Sequence, residues 1–168
     1  MDIKITNVKK LLLKDINFAL RISIENYQNE QVLLDKVAKE LNNGTKLIHL
    51  SPPKNNNVKN FISVAKKIRQ LCSMFSTLLI VESRSDLAKI IDSDGIYLTQ
   101  YDAQLTDIQK IIDHEKIFCA SYEAFKDSLD DFDYVVVQNN QTNALKSILG
   151  GSNVKIINIK GDNNEHNC

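Results

Sequence analysis

Glycine and proline are scarce in this chain, five and two in 168 residues, and only three cysteines occur. So little of either, beside 43% apolar and 25% charged residues, excludes collagen-like, mucin-like and largely disordered classes. It leaves one globular domain with enough apolar material for a core. The odd cysteine count excludes a disulfide framework, and Cys72 and Cys119 lie inside apolar patterns, as packing residues do. Net charge is also missing. Lys+Arg and Asp+Glu both stand at 21, so no global field draws nucleic acid or an anionic membrane, and neither is expected as a partner. Long apolar runs are missing as well: Leu78–Val81 and Tyr134–Val137 reach four residues, against roughly 20 for a bilayer span. Leu11–Leu13 is too short for a signal-peptide core, and no small-residue cleavage site follows. A cytoplasmic location is expected. Neither a zinc-type Cys/His spacing nor a glycine-rich nucleotide loop is present.

What the chain does contain, from Phe18 onward, is an alternation of short β-branched runs with stretches of helical period. That rhythm predicts an α/β fold with a parallel sheet covered by helices. The strands are read at Phe18–Ile24, Lys46–Leu50, Thr77–Val81, Gly95–Leu98, Lys116–Cys119, Asp133–Val137 and Val154–Ile159. Helices are expected at Glu30–Asn42, Val58–Phe75, Ser85–Ile91, Leu105–Asp113, Tyr122–Leu129 and Thr142–Leu149. In the first, Val32, Leu33, Leu34, Val37, Ala38 and Leu41 keep the spacing of a half-buried helix, stopped by Asn42-Asn43-Gly44. Ser85 reads as an N-cap. Residues 1–16 fit neither period and stand as an extra strand or a short helix on the floor of the fold. Residues 17–161 form the main domain, and 162–168 should be a frayed tail.

The segment Leu79-Ile80-Val81-Glu82-Ser83-Arg84-Ser85-Asp86-Leu87-Ala88, followed by Asp94-Gly95-Ile96-Tyr97-Leu98-Thr99-Gln100-Tyr101-Asp102, resembles the thiamine phosphate synthase/TenI family. There a strand ends in Asn-Asp-Arg, a helix opens with Asp-Leu-Ala, and the next strand reads Ala-Asp-Gly-Val-His-Leu-Gly-Gln-x-Asp. A weaker likeness runs from Phe18 to Gly161, with Ile48-His49-Leu50-Ser51 where the family has Val-Gln-Leu-Arg and Ala120-Ser121 where it has Val-Ser. The resemblance implies a (β/α) barrel of TIM type. No residues remain in this sequence for an eighth strand, so an incomplete barrel of about seven parallel strands is expected. Its first and seventh strands would be unpaired unless the N-terminal segment or a homodimer partner covers them.

The resemblance further implies the joining of a pyrimidine methyl diphosphate to a thiazole phosphate with Mg²⁺, the site lying at the C-terminal strand ends. Carried over by position, Asp102 is a metal ligand and Ser121 a diphosphate ligand. A second metal carboxylate is replaced by Ser83, with Glu82 beside it. His49 and Lys54 stand in a substrate-binding pattern from which the arginine is gone, and Arg84 completes the residual site. Glu123 falls where the TenI branch has a proton-transferring His, which makes it a candidate catalytic acid or base. The loop Gln138–Asn143 has lost the family's phosphate-binding glycines, with Thr142 or Lys146 as stand-ins. Each residue also has a structural reading: Asp102 and Ser121 as helix caps, His49 as a core histidine, Asp94-Gly95 as a turn, Arg84–Asp86 as a local ion pair, Glu123 as a solvated acid. The expected function is that of a synthase-like domain with weak or lost catalysis. The alternative is a non-catalytic protein that binds a small phosphorylated or heteroaromatic ligand or a partner subunit.

Overall fold

The computed structural model describes residues 6–55, 57–113, 115–138 and 154–161. Seven strands run parallel: β1 Phe18–Ser23, β2 Leu47–Ser51, β3 Leu78–Glu82, β4 Gly95–Leu98, β5 Ile117–Ser121, β6 Tyr134–Val137 and β7 Lys155–Gly161. Each pairs with the next in sequence order, and β7 returns to β1, with Phe18 opposite Asn158 and Arg21 opposite Gly161. The ring is closed. The expected unpaired edge is therefore corrected: seven strands suffice to satisfy every ladder, because β1 and β7 are each other's neighbour.

Alternation along the strands divides the apolar residues between two cores. Inside the ring lie Ala19, Leu47, Leu78, Ile80, Ile117, Cys119, Tyr134, Val136 and Ile157. Outside it, Ile22, Ile48, Leu50, Leu79, Val81, Ile96, Leu98, Phe118 and Ala120 pack against the helices. Those helices are α2 Glu30–Asn42, α3 Val58–Met74, α4 Ser85–Ile91 and α5 Leu105–Ile111. The preceding helix, α1, spans Thr6–Leu12 and continues into a 3-10 turn over Leu13–Asp15. Helix α2 starts at Asn29, whose side chain accepts from the Val32 amide, and it ends before Gly44, where φ reaches +94°. Two local expectations change. Arg84, not Ser85, precedes the first turn of α4 and makes no side-chain cap. No α-helix forms over Tyr122–Leu129; Ala124, Phe125 and Ser128 close i to i−3 turns, and a 3-10 helix follows at Leu129–Asp131. The segment is short, its apolar residues Phe125 and Leu129 are separated by Asp127-Ser128, and one tilted ring pair, Phe125 against Phe132 with centroids 4.9 Å apart, anchors it without a helix. The expected helix Thr142–Leu149 and the tail 162–168 lie outside the described residues.

Helix α1 sits against the N-terminal strand ends. Lys9 Nζ donates to Asp94 at 2.5 Å, just before β4, and Lys10 pairs with Asp133 at 3.1 Å, just before β6. Both acids also clamp a neighbouring strand: Asp94 accepts from the Leu79 amide and Asp133 from the Phe118 amide. Leu13 and Ile16 join the inner core. This end is sealed, and the polar groups inside the ring collect at the other end.

Candidate functional site

Positions facing the interior near the C-terminal strand ends are polar: Arg21 on β1, Ser51 on β2, Glu82 on β3, Tyr97 on β4 and Ser121 on β5. Arg21 reaches across β2, donating from Nε to Glu82 Oε1 at 2.8 Å, from Nη2 to Glu82 Oε2 at 3.1 Å and to Ser51 Oγ at 3.2 Å. The Glu82 side chain is 10% exposed and the Arg21 side chain 41%. The carboxylate end of the pair is the more deeply buried. Above it lies a cavity of about 440 Å³ whose wall includes Arg21, Glu82, Tyr97, Thr99, Ser121, Tyr122, Glu123 and Gln138, with Val136 and Ile159 as its apolar part. Ser121 hydrogen-bonds Tyr97, whose hydroxyl burial pushes up to about 12.

Beneath this layer His49 is wholly buried, with Nε2 2.5 Å from the Tyr134 hydroxyl and its ring 5.3 Å from that of Tyr97. Among the described residues its Nδ1 has no hydrogen-bond partner. Burial lowers the His49 pKa to about 4, Glu82 opposing and Arg21 adding to the shift, so the ring is neutral near pH 7. Burial likewise holds the Tyr134 hydroxyl and the Cys119 thiol well above their ordinary values.

The residues singled out from sequence separate into three places. Glu82, Ser121 and Glu123 meet on the cavity wall. Glu123 is 56% exposed and pairs with Lys126 at 2.9 Å. His49 lies under the cavity, inside the ring. Asp102, Arg84 and Lys54 stand outside the wall of this cavity. Asp102 holds the turn after β4: its Oδ2 accepts from the Thr99 amide at 2.6 Å, from Thr99 Oγ1 at 3.0 Å and from Ser83 Oγ at 3.1 Å. It does not cap α5, which starts after Gln104 with no side-chain cap. Arg84 makes the local ion pair with Asp86, at 2.6 Å. Lys54 is exposed, and its amide donates to Glu25 Oε1 at 2.7 Å. Thr142 and Lys146 lie outside the described residues.

Arg21 was not singled out, although its signal was in the sequence. It is the one charge in Phe18-Ala-Leu-Arg-Ile-Ser23, and it shares the inward parity of Ala19, where a charge requires a partner. That partner, 61 residues away, could not be read.

Magnesium is the metal the resemblance implies, and the donors here do not fit it. Among the described residues no three His, Cys, Asp or Glu side chains converge. Both oxygens of Glu82 accept from Arg21, and Asp102 spends its Oδ2 on the Thr99 turn and on Ser83. The family's pair of metal carboxylates is not assembled here, as the Ser83 replacement led us to expect.

A parallel barrel of TIM type, closed by seven strands and carrying its polar pocket at their C-terminal ends, is the class that fold and cavity define. The chain belongs to the thiamine monophosphate synthase family, whose profile matches residues 21–144. It is 34% identical over 94 residues to the thiamine-phosphate synthase of Dictyoglomus thermophilum, covering 56% of this chain and 41% of that one. With the thiamine-phosphate synthase of a Synechococcus strain it shares 37% over 70 residues, covering 42% of this chain and 20% of the other. These matches span less than half the length of the curated relatives. The thiamine phosphate pyrophosphorylase structure from Pyrococcus furiosus superposes with a TM-score of 0.72 at 21% identity, covering 90% of this chain and 78% of that one. That likeness establishes the shared fold. No described helix is long and apolar enough to cross a membrane.

Proposed function

We propose that this barrel binds a small phosphorylated or heteroaromatic ligand related to thiamine biosynthesis, and that its coupling of pyrimidine diphosphate with thiazole phosphate is weak or lost. One observation carries the reading: where the resemblance asks for two acids, Ser83 donates its hydroxyl to Asp102 and Glu82 is tied to Arg21. The charge that would steady a departing diphosphate is then short of its holders. In this reading Ser121 and Glu82 meet the ligand on the cavity wall, His49 supports it from beneath as a neutral ring, and Lys54 and Arg84 stand on the outer rim. The ring's own closure removes the unpaired strands on which a partner subunit or homodimer was expected to dock.

Two measurements on the purified chain test this. Calorimetric titration with thiamine phosphate is expected to show binding, and incubation with both phosphorylated precursors and Mg²⁺ is expected to yield little or no thiamine phosphate. Turnover like that of a working synthase overturns the loss of catalysis; absence of any heat overturns the ligand class. A second reading, proton transfer by Glu123, draws on its place in the cavity wall. An isomerase rate unaltered in Glu123→Gln removes it.

A further inference from the structure

We infer that two copies of this chain associate through the N-terminal end of the barrel, each laying the outer face of α1 on the other. The interface lies opposite the cavity and does not depend on what the cavity binds.

Helix α1 is amphipathic in the reverse of the usual sense. With about 100° between successive residues, Lys9 and Lys10 share one side, while Val8, Leu11 and Leu12, spaced i, i+3, i+4, share the other. The lysines form the side turned to the barrel, where Asp94 and Asp133 receive them. The apolar side is left to solvent, Val8 being 55%, Leu11 61% and Leu12 45% exposed. A helix on the surface of a lone domain turns its apolar stripe to the core, because apolar area removed from water is what holds it there.

The patch extends beyond α1. Each helix between two parallel strands runs back against them, so its last turn lies at this end, and there Met74 of α3, Ile90 of α4 and Ile111 of α5 are 74%, 50% and 46% exposed. Asp94 draws these elements together: it accepts from Lys9 of α1 and Arg69 of α3, and Arg69 Nε also donates to the Asp92 carbonyl just past α4. Six of the nine large apolar side chains left exposed among the described residues thus gather at one end. They present several hundred Å², on the scale of the roughly 800 Å² that each partner brings to a standard interface. An apolar centre of this kind is the mark of homodimer interfaces.

Charge selects a second copy as the occupant. The rim carries both signs, exposed Lys14 beside exposed Asp15 after α1, and Asp92, 79% exposed, beside Lys116 after α4. A two-fold axis near Leu11 therefore sets acids of one copy against lysines of the other, and α1 packs on its own equivalent. A lipid surface is disfavoured: a helix lying on anionic headgroups keeps its lysines on the outer polar face, whereas Lys9 and Lys10 are spent on acids of the barrel.

Sedimentation equilibrium of the full chain over a range of micromolar concentrations is the test, and a mass that rises to twice that of one chain is expected. Leu11→Glu brings like charges together near the axis and breaks no contact of the single chain. It should weaken the dimer about tenfold or more, the scale of a central interface residue, with unchanged far-ultraviolet circular dichroism. Met74→Glu serves as the second variant should that one not fold. Tyr101→Glu, at a residue 88% exposed at the opposite end, should leave the mass unaltered. A wild type monomeric at every concentration overturns the proposal, as does a dimer that survives both Leu11→Glu and Met74→Glu or is lost in Tyr101→Glu. A monomeric wild type that sediments with anionic vesicles assigns the patch to lipid and overturns it equally.

Discussion

At the scale of single residues, His49 shows how burial sets chemistry. Its folded pKa of about 4 lies below the ordinary 6.5 because the ring is desolvated among Tyr97, Tyr134 and the Arg21–Glu82 pair. Between those two values the unfolded chain takes up a proton that the folded chain refuses. Stability is therefore complete above pH 6.5, falls as pH drops through the window and levels off below 4, the His49 share amounting to about 3 kcal/mol. Urea unfolding at pH 7 and pH 4.5 should show this fall in the wild type and a smaller one in His49→Gln. Ser83 offers the converse experiment. Its φ of +63° suits Asp as well as Asn, and its hydroxyl already touches Asp102. Ser83→Asp should create the missing acid pair and confer Mn²⁺ binding, read by electron paramagnetic resonance, that the wild type lacks. A variant as silent as the wild type would mean that the absent acid is not what keeps a metal away.

At the scale of elements, the residues that carry the family likeness mostly hold the barrel together. Asp94 is 2% exposed; it accepts from the Leu79 amide, Lys9 and Arg69 and so ties β3, α1 and α3 to the start of β4. Gly95 next to it has no room for a side chain, since an added Cβ would lie 2.0 Å from the Ile117 carbonyl oxygen on β5. Asp94-Gly95, readable as a simple turn, is a packing requirement where two strands begin. Gly95→Ala must push β4 from β5 and should cost about 1–3 kcal/mol, or more if the strands cannot part, measured as a lowered urea midpoint. Leu87, Ala88 and Leu98 are likewise buried in the outer core. A shared sequence cadence thus reports the fold more directly than the reaction, because close packing tolerates fewer substitutes than an open pocket does.

At the scale of the whole molecule, ring closure and the sealed floor act together. Among the described residues the closed ring of seven strands leaves no edge, while α1, through Lys9–Asp94 and Lys10–Asp133, and the buried Leu13 of the turn after it lie across the N-terminal end. Removing residues 1–12 takes away both lysine contacts to the acids that clamp β4 and β6. Thermal unfolding should fall by the equivalent of about 1–3 kcal/mol, with the far-ultraviolet circular dichroism of the barrel retained. A truncated chain as stable as the full one would show that the helix is an appendage.

The seven strands and four of the helices were legible within a residue or two at most ends, since side-chain period and apolar content are local properties that a linear pattern records. Tyr122–Leu129 was not, because turns and a tilted Phe125–Phe132 ring pair outweigh a weak helical period there. The same limit divides the site. Glu82, Ser121 and Glu123 could be named in advance because the family resemblance assigns those positions, and the cavity wall brings the three together. That Arg21 spans β2 to grip Glu82, that Asp102 turns toward Thr99 and Ser83, and that β7 joins β1 were decided only by the tertiary structure. Sequence fixes which residues alternate inward, but contact between residues 61 or more apart depends on how the ring closes, and closure is a property of all seven strands at once.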